Sequence, residues 1–144
     1  KISVKKESGW LETAFYVTIK SPTINKKEID TILAKFEEYE RDFATGEILT
    51  NANTFVFVDY QNGIFNEVRK PYIEQAQKAI ESLKGADWKK VYTINEDLAL
   101  SVSIEGKGYT IRQQQDYTKK CTIRNAEQLA ECIYLQKQFN DITI

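Results

Sequence analysis

The chain has 144 residues, 42% apolar and 28% charged, with only six glycines and two prolines. That is enough material for one domain with a real hydrophobic core, and it excludes a disordered, collagen-like or membrane-embedded polypeptide. Twenty basic residues against twenty-one acidic ones leave a net charge of −1, which argues against a protein built to coat duplex DNA.

Ile2 and Val4 alternate with Ser3 and Lys5 as a first strand. Ser8-Gly9 turns the chain into a second, Trp10 to Lys20, rich in aromatic and β-branched residues. Asn25 is a good helix N-cap with Glu28 three residues later, and Ile29, Ile32, Leu33, Phe36, Tyr39 and Phe43 recur at helical spacing until Gly46. Ile48-Leu49-Thr50 and Thr54 to Tyr60 predict a second hairpin about Asn51-Ala52-Asn53. The unbroken run Phe55-Val56-Phe57-Val58 predicts a central strand covered on both faces. Asn62-Gly63 is a turn, and the pattern leaves open whether Ile64-Phe65 pairs back.

Pro71 opens a second helix with Ile73, Ala76, Ile80 and Leu83 as its buried stripe and Gly85 as its stop. Val91 to Ile94, Leu98 to Glu105 and Tyr109 to Gln115 predict three consecutive antiparallel strands, joined through Asn95-Glu96-Asp97 and Gly106-Lys107-Gly108. In the middle strand Leu98, Leu100, Val102 and Ile104 share one face, against Ala99, Ser101, Ser103 and Glu105 on a wet one. Lys120 to Arg124 makes a short further strand. Asn125 then caps a last helix with Leu129, Cys132, Leu135, Phe139 and Ile142 toward the core. The order ββα-ββα-βββα predicts a single α+β domain over residues 1–144, an antiparallel sheet built from hairpins with three helices. It speaks against a parallel βαβ arrangement.

The chain contains no histidine, which removes Ser-His-Asp and Cys-His nucleophiles, a histidine general base and the ordinary zinc-hydrolase site. Cys121 and Cys132 read as two thiols packed as small apolar side chains, with a disulfide as the alternative, and no metal site is expected from them. Gly106-Lys107-Gly108 lacks every other element of a Walker or dinucleotide fingerprint, so it reads as a hairpin turn and no cofactor is expected. Asp59, Glu96 and Asp97 are acids near strand ends, where carboxylates are usually solvated; paired across a cleft they could serve as acid and base.

The basic residues are unevenly spread. Lys27 to Glu47 holds three basic and seven acidic residues. Lys107 to Arg124 holds Lys107, Arg112, Lys119, Lys120 and Arg124 against Asp116 alone, with Tyr109 and Tyr117 interleaved. Guanidinium groups bind oxyanions bidentately and tyrosine rings stack on flat groups, so this stretch is the candidate site for a ligand or partner. Within it Gln113-Gln114-Gln115 breaks the strand alternation. Either the strand runs past the core with both faces wet, or Gln113 and Gln115 line a polar pocket or partner interface.

Trp10 and Trp88 each begin a strand and are expected to be partly exposed, which is compatible with a partner surface or a homo-oligomer. The expectation is a non-enzymatic, cytoplasmic binding protein, of the accessory or inhibitor kind that phages and mobile elements carry. It would recognise another protein or a small anionic, nucleotide-like ligand, with no membrane contact. The alternative is a single-stranded nucleic-acid-binding protein using the basic C-terminal strands. A carboxylate enzyme is the third class.

Overall fold

The structure, a computed structural model, describes residues 1–9, 12–34 and 53–144. By their contacts the described residues divide into two compact units, Lys1–Ile64 and Phe65–Ile144.

In the first unit β1 (Ile2–Ser8) and β2 (Glu12–Ile19) form the expected antiparallel hairpin, with Ile2 opposite Ile19 and Val4 opposite Val17. A helix, α1, starts at residue 26 and is described to residue 34. The Asn25 side chain accepts the Lys27 N–H at 2.9 Å, as an N-cap does. The chain then returns as β3 (Asn53–Tyr60), which pairs with β2 in parallel, Val17 beside Val58. The three-stranded order is β1-β2-β3.

That parallel pairing corrects the all-hairpin expectation. Alternation along a strand reports which face is buried and carries no information about partner direction, so the return of β3 alongside β2 was not readable locally. The predicted hairpin arm at residues 48–50 lies outside the described residues, as do Phe36, Tyr39, Phe43, Gly46 and Trp10. The reading of β3 as covered on both faces also fails. Val17 and Ile19 are buried, but Tyr16, Phe55 and Phe57 on the opposite face are exposed. Their rings stack, with centroids 5.3 Å apart for Tyr16–Phe57 and 6.3 Å for Phe55–Phe57. Ile32, expected on the core stripe of α1, is exposed. Tyr60 tethers the start of that helix: its hydroxyl donates to the Ile24 carbonyl at 2.7 Å and accepts the Lys26 N–H at 2.9 Å.

The chain passes from the first unit to the second in a turn through residues 62–69, so Ile64-Phe65 forms no strand. A 3₁₀ turn at Lys70–Tyr72 carries Pro71 into α2 (Ile73–Ser82). Four strands follow: β4 (Val91–Thr93), β5 (Leu98–Val102), β6 (Tyr109–Gln113) and β7 (Lys120–Ile123), antiparallel throughout in the order β4-β5-β6-β7. The last helix, α3 (Ala126–Phe139), is capped by Asn125, whose side chain accepts the Gln128 N–H at 2.9 Å. It ends at Asn140, in the left-handed conformation that closes many helices.

One face of this sheet packs under α2 and α3. Leu98, Leu100, Ile111 and Ile123 from the strands meet Ala76, Ala79 and Leu83 from α2 and Leu129, Ala130, Cys132 and Ile133 from α3. Each fully buried aliphatic side chain of this kind contributes roughly 1.5–3 kcal/mol by leaving water. Ile104, predicted to continue the β5 stripe, sits beyond the strand in a turn and is exposed.

Cys121 and Cys132 are not joined in a disulfide. Burial pushes the Cys132 thiol up to about 12, which keeps it protonated and chemically quiet. Over the described residues the protein is thus α+β with three helices, but with two sheets, one mixed and one antiparallel. Among the described residues no helix is long and apolar enough to cross a membrane.

Candidate functional site

Residues two apart on a strand share a face. With Leu100, Ile111 and Cys121 aligned toward the helices, the register places Ser101, Thr110 and Thr122 together on the other face. Arg112 and Lys120 are cross-strand partners on that same face. Among the described residues of this unit no element packs over it. It forms the floor of a groove of about 840 Å³, walled by Trp88, Lys89 and Val91 on one side and by the segment from Ser103 to Lys107 at one end.

Five basic side chains line the groove, Lys89, Lys107, Arg112, Lys120 and Arg124, against Glu105 as the single acid. Among the described residues, none of the five is in an ion pair. Arg112 reaches across the floor, its guanidinium donating to the Ser101 hydroxyl at 3.4 Å. Lys107 is delivered by the turn that the sequence marks with two glycines. Gly106 and Gly108 both have positive φ, and a Cβ on Gly108 would stand 2.5 Å from the Ile123 carbonyl oxygen. Only glycine allows the turn to lie so close on the end of β7, and this sets Lys107 near Arg124. Trp88 is half-exposed at the same end, with the Lys89 ammonium 5.7 Å from its ring centroid.

The nine residues singled out in the sequence divide. Lys107, Arg112, Lys120 and Arg124 come together in the groove. Tyr109 and Gln113 lie on the core face of β6; Tyr109 packs against the apolar cluster. Gln113 is buried, and its amide donates to Gln136 Oε1 at 2.6 Å and to the Asn140 carbonyl at 3.0 Å. Its hydrogen bonds are therefore met by α3 and not by a ligand. Gln115 and Tyr117 are exposed, outside the groove lining, in the bend that leads to β7. Lys119 turns away to Asp141, 3.8 Å off. Asp116 organises that bend by accepting from Thr118, and these hydrogen bonds hold its carboxyl below the usual range.

The hydroxyls of the floor and the Trp88–Lys89 wall were not identified as site residues. Ser101, read from the sequence as a wet-face residue, is instead buried under the Arg112 side chain that bonds it, and joining it to Trp88 required the β4–β5 register. Glu96 and Asp97 stay exposed in a turn that Asn95 closes by accepting the Asp97 and Leu98 N–H groups. Asp59 is exposed at the end of β3 in the other unit. Among the described residues no group of three or more cysteines and carboxylates could hold a metal ion. Compared with protein families, curated proteins and solved structures, the chain finds no match.

Proposed function

We propose that the protein is a non-enzymatic binding protein whose ligand is anionic and is held in the groove on the open face of β4-β5-β6-β7. The observation that carries this reading is the gathering of five cations around a hydroxyl floor with one acid. Phosphate or carboxylate oxygens would find two kinds of partner there, charged donors at the ends and neutral O–H donors between them. Arginine beside lysine on adjacent strands is suited to such a group, because the guanidinium fork fixes orientation and the ammonium adds charge without demanding geometry. The overall charge of −1 is no obstacle, since the groove itself is lined by five cations and one acid.

Titration calorimetry with inorganic tripolyphosphate at low salt tests the reading. Binding is expected, and the double substitution Arg112→Ala with Lys120→Ala should weaken it at least about tenfold, the effect of losing roughly 1.4 kcal/mol or more of charge-assisted contact. No heat with the unmodified protein, or equal affinity in the double variant, would overturn it.

A further inference from the structure

From the placement of charge within the groove we infer that its ligand is an extended oligoanion, a short single-stranded run of nucleic acid, with an unpaired base stacked on Trp88. This rests on the anion-binding reading above and narrows it.

Four of the five cations stand in two groups, and the fifth, Lys89, lies beside Trp88. Arg112 and Lys120, cross-strand partners, mark one end of the floor. Arg124 and Lys107 mark the other, held together by the close approach of Gly108 to Ile123. Lys120, Thr122 and Arg124 alternate onto the same face, so the two groups are four residues apart along β7, roughly 13 Å at the rise of a strand. A single phosphate group can engage one end and leaves the other unneutralised. A chain of phosphodiesters meets both, with its middle over the Thr110 and Thr122 hydroxyls. The aromatic wall stands at the Arg124 end, because β4 runs antiparallel to β5 and Trp88 precedes Val91, the partner of Ser101.

Trp88 is 52% exposed, unusual for so large an apolar ring. A base stacked on it would be worth about 1–3 kcal/mol. Such stacking requires a base free of its complement, which a duplex does not offer. A duplex would also demand a broad basic face, where here the cations gather in a groove of a chain with a net charge of −1.

Fluorescence anisotropy with a labelled eight-residue oligothymidylate tests the inference, with thymidine monophosphate, tripolyphosphate, an eight-base-pair duplex and an octaglutamate peptide as competitors. The oligothymidylate should bind at least about 100-fold more tightly than the monophosphate, and its affinity should fall with salt at a log–log slope of about −3, as four phosphate contacts imply. Trp88→Ala should weaken it about tenfold, a larger loss than the same variant shows for tripolyphosphate, which has no base to stack. If tripolyphosphate binds but the oligothymidylate is no tighter than the monophosphate, the extended ligand is wrong while the anion site stands. Equal competition by the duplex or by octaglutamate would also overturn the single-strand assignment. If neither tripolyphosphate nor the oligothymidylate binds at low salt, both readings fail.

Discussion

Gln113 carries the amide that ties β6 to α3. Its Nε2 donates to Gln136 Oε1 and to the Asn140 carbonyl, and Gln136 in turn donates to Asn140 Oδ1 at 2.8 Å. Removing one member of a buried network leaves the others desolvated without partners, which costs more than the bond itself contributed. Gln113→Ala should therefore destabilise the second unit by about 1–3 kcal/mol. Gln115→Ala, at an exposed position, should change stability by less than about 0.5 kcal/mol. Urea denaturation distinguishes them, and equal effects would contradict the network. The neighbouring Gln114 has a third role, its Nε2 donating to the Asn95 carbonyl at 2.6 Å and so fastening the turn between β4 and β5. The glutamine run thus breaks the strand alternation for structural reasons. In the sequence its three amides were indistinguishable, because their acceptors lie on α3 and on a turn whose positions only the folded chain defines.

The elements most legible in advance were those whose contacts are local. β4 to β7 follow one another as neighbours, Asn125 and Asn25 cap the helices they were read to cap, and the Leu98–Leu100 stripe faces the core as its period of two requires. Phe55 and Phe57 misled because a continuous apolar run is shared by strands covered on both faces and by strands that expose aromatic rings on one. The two sheets accordingly differ in what a truncation should cost. Ile111→Ala, at a fully buried position, should lose about 2–5 kcal/mol. Phe57→Ser removes a half-exposed ring and its stacking on Tyr16 and Phe55, about 1 kcal/mol beyond the area it covers. Chemical denaturation of the two variants checks the ranking, and a loss at Phe57 as large as that at Ile111 would mean that the ring is covered. The candidate site was half legible on the same grounds. Its cations fall within one stretch of chain, whereas its floor and aromatic wall come from strands that meet them only through the register of the sheet.

Charge is distributed across the whole molecule in a way that the total conceals. The stretch from residue 27 to 47 is acidic, the strands from 107 to 124 are basic, and the sum is close to zero. The two units differ equally in how far apart along the chain their contacting residues lie. Strands of the second unit pair with their immediate successors, whereas in the first β2 pairs with β3 across the whole of α1 and the residues that follow it, Val17 meeting Val58. The equilibrium cost of that separation is small, since each doubling of a closed loop adds only about 0.6 kcal/mol. Its cost in time is larger, because distant partners must find each other before any contact rewards the search. Pulse-labelling hydrogen exchange during refolding should find the amides of β5 and β6 protected before those bonded between β2 and β3; the opposite order would contradict this. The parallel pairing thereby acts as a clock. When the full chain refolds, the groove-bearing unit would be finished while the chain is still closing the other.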